Sequence, residues 1–426
     1  MRILILLAAF ALASPALADI INVPSDFATI QEAVDAGISG DEILIAPGTY
    51  AGDVTITGKD LTIRSSAGAA TTIVDGGGLT RGITVTDSTS TIQGVTFQNC
   101  VGSAIYMFGG ALTILDCTFN LNIDPETHGT VALFKGGMEI RRCLFTNNKA
   151  SFGGGISIQS GGGPFLAVDT EFRSNSAVIF GGAASIFANT NGLQYAKTFT
   201  NCLFITNDAG RAGGAVHIFF ADPSFINCTF DGNTAVIGGP ALYSTSFSLP
   251  VVTNSIFSNH ATTAIVDSDS FTLVTFTSLG AFAGVAVSAL GNTSADPIYV
   301  NAAAGDYRLS ADSPCIDAGF SWAVPESMTL DKEGKPRFAD RASTPNTGCG
   351  SAVMVDMGAH EFQGVPGDPC RGDTNGDGST NVSDLLTLLG SWGLCGATCC
   401  AADFDNSGLV NVTDLLQLLG AWGPCP

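Results

Sequence analysis

From Asp19 towards residue 300 the chain alternates apolar and polar positions in short runs, each broken by glycine, asparagine or aspartate. Alternation with a period of two is the mark of half-buried β-strands, and the frequent breaks keep those strands short. A helical spacing of apolar residues is confined to a few places. One is a short amphipathic stretch near Phe27–Ala36, and two more follow aspartate-rich loops close to the C-terminus.

The strand-like region repeats itself. Aligned on a phenylalanine, the segments VTFQN, CTFNLN, CLFTNN, EFRSN, CLFITN, CTFDGN and SIFSN place Phe97, Phe119, Phe145, Phe172, Phe204, Phe230 and Phe257 at intervals of 22 to 32 residues. Three positions after five of them stand Asn122, Asn148, Asn175, Asn207 and Asn233. A Gly-Gly pair follows a little later in GGGISIQ, GGAASIF, GGAVHIF and GGPALYS. Each unit thus holds about three short strands separated by glycine or asparagine, residues that tolerate the left-handed backbone of sharp bends. One unit cannot bury its apolar side alone, but stacked units can, with equivalent residues ~4.8 Å apart. The expected fold is therefore an all-β solenoid, a parallel β-helix, with the phenylalanines stacked inside and the asparagines along one bend. A β-sandwich would not repeat the same residue types at the same offsets. Cys117, Cys143, Cys202 and Cys228 lie two residues before their phenylalanines and share the inward parity. They fit a stack of small buried side chains, and the coil spacing also permits disulfides.

These units resemble the repeats of polymorphic outer-membrane proteins, within the right-handed parallel β-helix class that includes pectate lyases. INVPSDFATIQEAVDAGISGDEILIAPGTY resembles the lead-in of such helices: a strand, a short helix, then the first coil. DPIYVNAAAGDYRLSADSPCIDAG, followed by DKEGKPR and VDMGAHEF, resembles the closing segment of secreted bacterial members. The resemblance covers residues 19–365.

The last sixty or so residues, 366–426, are organised differently. From Asp373, positions 1, 3, 5, 9 and 12 are Asp373, Asn375, Asp377, Asn381 and Asp384, with Gly378 at position 6. From Asp403 they are Asp403, Asp405, Ser407, Asn411 and Asp414, with Gly408. Twelve-residue loops of this spacing wrap oxygen ligands around Ca²⁺, and the carbonyls of Ser379 and Leu409 fall at position 7. The expectation is two Ca²⁺ sites, each loop bringing three carboxylates. Leu385, Leu389 and Trp392 share a helical face, as do Leu415, Leu419 and Trp422. The pair of loops resembles the dockerin type I module, a small α-helical, duplicated half-EF-hand. That resemblance implies a cohesin-like partner contacted through Ser383 and Thr413. Cys370, Cys395, Cys399, Cys400 and Cys425 depart from the familiar pattern and leave one cysteine to pair elsewhere, with Cys349 or Cys315 as candidates; a surface-anchoring or self-associating tail is the alternative to cohesin docking.

Charge and the N-terminus narrow the function classes. Only 13% of residues are charged and the net charge is −21, which disfavours nucleic acid and anionic membrane as partners. Arg2, an apolar run from Ile3 to Ala13 and Ala16-Leu17-Ala18 form a signal-peptide pattern over residues 1–18, so secretion to the extracellular space or cell surface is expected, with no membrane span in the mature chain. Secretion makes disulfides permissible for the twelve cysteines.

Two sets of coil residues are candidates for chemistry. Asp116, Arg142 and Asp169 stand three residues before successive phenylalanines, suited to cation binding and proton transfer or, more simply, an exposed charge ladder. Ser157, Ser185 and His217 follow the Gly-Gly pairs and point outward by alternation, with Phe187 and Phe219 two residues beyond Ser185 and His217. Outward aromatics beside hydroxyl and imidazole suit sugar stacking; packing beneath neighbouring insertions is the plainer reading. The sequence carries no complete known catalytic set. The expectation is an extracellular polysaccharide-active protein, by lyase or O-glycosyl hydrolase chemistry if it is an enzyme. The alternative is a non-catalytic surface or adhesion β-helix.

Overall fold

In the computed structural model, residues 18–126, 128–159, 161–188, 195–279, 287–288, 291–339, 347–349, 353–363, 372, 374, 379–394, 402, 404 and 409–424 are described. The signal-like segment up to residue 17 lies outside them.

The short strands wind into a parallel β-helix with three long ladders. The first runs through Val54–Thr57, the leading halves of Ile83–Gln93, Ile105–Leu115 and Val131–Arg141, then Ile156–Ile158, Ala184–Phe187, Val216–Phe219, Leu242–Thr245 and Ile265–Ser268. The second starts with Ile20–Val23 and Glu42–Ile45, takes the trailing halves of the same long strands, and continues through Gly162–Val168 to Leu273–Thr275. The third carries the phenylalanines in strict register from Phe97 to Phe257. Parallel pairing at every rung rules out the sandwich.

The phenylalanine column is the spine of the core. Phe97, Phe119, Phe145, Phe172, Phe204 and Phe230 are fully buried, and their rings stack with centroids 4.5 to 5.2 Å apart. Rigid flat rings at rung spacing fill the interior without the rotamer loss that long aliphatic chains would incur. Each three-residue Phe strand is bounded by two left-handed residues. Asp116, Arg142, Asp169, Asn201, Asn227 and Asn254 precede it with φ of 50 to 54°, and Leu121, Asn147, Ser174, Thr206 and Asn259 follow it with φ of 51 to 56°. Asparagine and aspartate tolerate that conformation best, which explains their frequency at the first corner.

The five stacked asparagines do something other than turn the chain. The left-handed residue is the one before each of them, and the asparagine itself is buried inside the corner. Asn122 Nδ2 donates to Asn148 Oδ1 at 2.9 Å, and the ladder continues through Asn175 (2.9 Å), Asn207 (3.1 Å) and Asn233 (3.0 Å). Each amide also donates to the carbonyl of a phenylalanine in an earlier rung, as Asn175 does to Phe145 at 2.9 Å. At the top, Asn233 Nδ2 faces His260 Nε2 at 3.5 Å, so a histidine ends the ladder.

Cys117, Cys143, Cys202 and Cys228 are free and buried, so neighbouring coils are not disulfide-linked at these positions. They alternate along the column with Thr170 and Ser255, and each thiol sits near the carbonyl two residues before it. Burial pushes the Cys143 and Cys202 thiols well above their ordinary pKa. Cys315 is likewise a free, buried thiol, whereas Cys349 is disulfide-bonded.

Two segments finish the coil. The helix α1, Ile30–Ala36, starts at a capping box between Thr29 and Glu32 and buries Ile30, Ala33 and Val34 over the N-terminal end. The closing segment folds back along the outer side of the Phe ladder. Tyr307 donates its hydroxyl to Asp231 at 3.2 Å, Ala359 N–H donates to Thr229 at 3.1 Å, and Asn227 donates to the Asp356 carbonyl at 3.0 Å. Arg337 is wholly buried there, donating to Asn201 Oδ1 at 2.7 Å, to the carbonyls of Gly358 and Ala359, and to Glu361 at 3.3 Å.

In the tail, α2 (Val382–Gly390) and α3 (Val412–Gly420) are near-copies. Short antiparallel bridges join residues 379–380 to 423–424 and 393–394 to 409–410. Leu388 and Leu418 are buried together with Ala402, Phe404 and Val410, and Leu385 and Leu415 pack partly against them. Along the expected shared face of each helix, Leu385 and Leu415 are half-buried, whereas Leu389, Leu419, Trp392 and Trp422 are exposed. The buried carboxylates of Asp384 and Asp414 set the phase: a residue one turn further on, Leu388 or Leu418, shares their inward side. Among the described residues no helix is long and apolar enough to cross a membrane.

Candidate functional site

The outer side of the first ladder is where the aromatic side chains gather. Register aligns Tyr106, Ala132, Ser157, Ser185, His217 and Tyr243 as one outward column. They point outward as alternation requires, yet Ser157 and Ser185 are fully buried and His217 is 3% exposed. Rings from the short strands Lys149–Phe152 and Ser176–Phe180, paired in a further parallel ladder, lie over them. Phe180 stacks on His217 at 4.3 Å, Phe152 meets Phe180 at 6.1 Å and Phe187 at 5.8 Å, and Phe187 contacts His217 at 5.6 Å. Phe187 and Phe219 are neighbours on the outer wall at 5.5 Å, and Phe219 is 39% exposed.

The result is an aromatic strip, called the trough below, whose sides are Phe152 and Phe180, at the ends of the strands Lys149–Phe152 and Ser176–Phe180, and Phe108, Phe134, Phe187 and Phe219. Between them the rings close over the buried middle of the column, from Ala132 to His217. The strip spans six rungs of the first ladder, roughly 24 Å at the ~4.8 Å strand spacing. Cations sit on its rings: Arg81 over Tyr106 at 4.4 Å, Lys135 over Phe108 at 5.8 Å and Arg211 over Phe180 at 5.3 Å.

His217 is poorly placed for proton transfer. Its Nδ1 lies 3.4 Å from Ser185 Oγ, and burial lowers its pKa to about 4, so it is neutral near pH 7. Asp116, Arg142 and Asp169 lie elsewhere, on the corner between the second and third ladders. Arg142 grips Asp116 through two bonds of 2.7 and 3.1 Å, and this pairing lowers the Asp116 pKa. Asp169 accepts from Asn201 at 3.0 Å, and burial raises its pKa. The corner gives these three a structural task, as left-handed residues tied across rungs.

At the N-terminal end of the trough another polar group appears, which the sequence did not single out. Asp124 is buried, accepts from Ser103 Oγ at 3.3 Å and lies 3.8 Å from His128 Nδ1, and burial raises its pKa. The His128 ring packs against Phe134 at 4.7 Å and edge-on to Tyr106 at 6.1 Å. Phe152 and Phe180 were also missed, although both directly precede a Gly-Gly pair, in SFGGG and IFGGA.

Of the expected Ca²⁺ ligands, Asp373, Asn375, Asp377, Asp403, Asp405 and Ser407 lie outside the described residues. Ser379, Asn381, Asp384, Leu409, Asn411 and Asp414 are described. Asp384 is fully buried; Oδ1 accepts from Thr374 N at 2.8 Å and Oδ2 from Asn381 N at 2.8 Å. Asp414 repeats this with Phe404 N at 2.7 Å and Asn411 N at 2.9 Å. Asn381 and Asn411 cap α2 and α3 by accepting from Ser383 N and Thr413 N, both at 2.8 Å. A buried carboxylate anchored at each helix start, beside loop backbone, is a donor set that fits a hard cation. The side chains of Ser383 and Thr413 stand on the exposed side.

The family model for the right-handed β-helix region matches residues 81–256, the stretch that holds the trough. The chain is a right-handed parallel β-helix. Among curated proteins it is 30% identical over 179 residues to metabotropic glutamate receptor-like protein R of Dictyostelium discoideum, a match to 40% of this chain and 10% of that protein. The matched stretch is thus a tenth of that relative's length. Similar solved structures include pectate lyase Pel9A (15% identity, TM-score 0.47, covering 82% of this chain and 97% of that one). A PL6 alginate lyase in complex with a trisaccharide is similar at 18% identity and a TM-score of 0.39, covering 58% and 61%. The catalytic domain of a GH87 α-1,3-glucanase gives 12% identity and a TM-score of 0.41, covering 68% and 70%.

Proposed function

We propose that the protein is secreted and binds a polysaccharide chain along the trough of the first ladder, with its tail binding two Ca²⁺ ions and docking it to a surface or partner. The observation that carries the reading is the set of rings that recur along six rungs in two groups, Tyr106, His128 and Phe134, then Phe152, Phe180, Phe187, His217, Phe219 and Tyr243. Flat aromatic faces stack on the apolar faces of sugar rings, and an elongated aromatic strip with repeating rungs suits a polymer better than a compact ligand. Binding is better supported than turnover, because Ser185 and His217 are occluded and the Asp116, Arg142 and Asp169 corner is outside the trough. One observation favours turnover, by a lyase or hydrolase route. Asp124 and His128, beside Tyr106, put a carboxyl with a raised pKa next to an imidazole at the trough end.

The test replaces Phe187 and Phe219 together with alanine and measures affinity for a panel of soluble polysaccharides. Loss of two stacking contacts, each on the order of 1 kcal/mol, is expected to weaken binding about tenfold or more with the melting temperature little changed. Equal affinity of the variant and the unsubstituted protein across the panel would reject the trough as the site. Reducing ends or unsaturated products in the same incubations would convert the reading from binding to cleavage.

For the tail, Ca²⁺ would be held by Asp373, Asn375, Asp377, the Ser379 carbonyl, Asn381 and Asp384, and by Asp403, Asp405, Ser407, the Leu409 carbonyl, Asn411 and Asp414. The ion supplies the positive charge that offsets three carboxylates per loop, which couples binding to folding of this part. Calorimetric titration of the full chain should give two sites, one in either Asp373→Ala or Asp403→Ala, and none in the double variant. A stoichiometry near zero in the unsubstituted protein would refute calcium binding. The exposed residues Ser383 and Thr413 stand ready for a cohesin-like or surface partner.

A further inference from the structure

We infer that the polymer in the trough is anionic, carrying carboxylate or sulfate groups, and that Arg81 and Arg211 receive them; this rests on the trough being a carbohydrate site. The arginines of the coil and closing segment divide sharply. Arg64, Arg141, Arg142, Arg173, Arg308 and Arg337 are each ion-paired to a carboxylate. Arg81 and Arg211 are the described arginines without such a pair, and both lie on rings of the trough. Lys135, the third cation on a trough ring, also has no ion pair among the described residues.

In a chain of net charge −21, with carboxylates far outnumbering cations, an arginine left unpaired stands out. Pairing is the easy state here, and the long-range field of the protein repels anions. A local cluster of uncommitted cations is what an anionic ligand needs to overcome that field. A guanidinium lying over a ring is held in orientation by its face, while its N–H edge stays free for two parallel bonds to a carboxylate or sulfate.

The spacing speaks for a polymer with repeated charges rather than a single anion. Arg81 precedes Ile83, Lys135 follows Val131 and Arg211 precedes Val216, and these strands are the first, third and sixth of a run of registered rungs. The cations are therefore two and then three rungs apart, about 10 and 14 Å at ~4.8 Å per rung. The rings between them supply apolar surface for the sugar faces.

The experiment uses the full-length protein with three probes: polygalacturonate, a sulfated galactan and the matching uncharged galactan. Binding is compared for the unsubstituted protein, the Arg81→Gln/Arg211→Gln variant, and Arg142→Gln, whose ion pair lies outside the trough. The expected result is binding of a charged probe, weakened on the order of a hundredfold in the double variant and unchanged in Arg142→Gln. Its dependence on salt concentration should also become shallower in the double variant. Which charged probe binds distinguishes carboxylate from sulfate. Equal binding of the uncharged galactan, or charged-probe binding that the double variant leaves intact, would overturn the anionic assignment while sparing the trough. Failure of all three probes would overturn this assignment; the Phe187 and Phe219 variant against the wider panel decides separately whether the trough binds any glycan. Matching melting temperatures for all variants exclude unfolding as the cause.

Discussion

Asn175→Ala should cost the β-helix about 5 kcal/mol, a large share of what a domain normally has to spare. The side chain accepts from Asn148 N at 3.2 Å and from Asn148 Nδ2 at 2.9 Å, and donates to Phe145 O at 2.9 Å and to Asn207 Oδ1 at 3.1 Å. Alanine removes all four bonds from a dry corner that water does not reach. Each partner left unsatisfied costs roughly 1–3 kcal/mol. The control is its neighbour in the next rung down, Asn147→Ala, which loses an exposed side chain at a left-handed position and should cost about 1–2 kcal/mol. Urea unfolding at pH 7 compares the two. If Asn175→Ala is no more damaging than Asn147→Ala, the ladder is not what holds the rungs together.

The second large effect is the acid-side contribution of the buried histidines. Burial lowers His217, His260 and His360 to about 4, against about 6.5 in an unfolded chain. Their folded values lie below the unfolded ones, so the stability they contribute is present above pH 6.5 and is lost as pH falls through 4. Each represents on the order of 3 kcal/mol by the time both states are protonated. Asp356 acts in the opposite direction. Burial raises it to about 7, so its share is present at low pH and is lost as pH rises through 7. Burial also raises Glu361, Asp124 and Asp169, which act in the same direction as Asp356 and offset much of the histidines' loss, so the histidine share is read by substitution. His217→Phe keeps a ring between Phe180 and Tyr243 without a titrating nitrogen, and should flatten the acid limb. Unfolding midpoints at pH 7, 5.5 and 4.5 measure this; identical acid limbs in both proteins would dismiss His217 as a contributor.

Much of the coil could be read from its residues. The phenylalanine and asparagine columns recur at offsets that only a parallel stack converts into contacts, and the structure places them as expected. The task of the asparagines was harder to see. Asparagine suits both a left-handed bend and a buried amide ladder, and only the backbone shows that Leu121, Asn147, Ser174 and Thr206 take the bend. The trough was half legible. Phe187, Phe219, Ser185 and His217 share a face by alternation, but the rings that cover the last two come from other strands, Lys149–Phe152 and Ser176–Phe180. Alternation says which way a side chain points and nothing about what folds over it. Tail packing is not legible for a similar reason: a leucine stripe says which residues share a face, and the buried side, in phase with Asp384 and Asp414, falls a fraction of a turn away at Leu388 and Leu418.

The unequal spacing of the phenylalanines has a meaning for descent as well as for shape. Rungs of 22 and of 32 residues stack their phenylalanines in the same register, because the difference in length falls outside the three-residue Phe strands. Away from the corners that the closing segment covers, each rung bonds to the one above and the one below, through an asparagine, a ring and a ladder that recur from rung to rung. A duplicated unit would therefore find its place without any new interface, lengthening the trough by one step. The span of polymer the protein grips is in this sense a count of copies, adjustable by recombination between repeats rather than by reshaping any side chain.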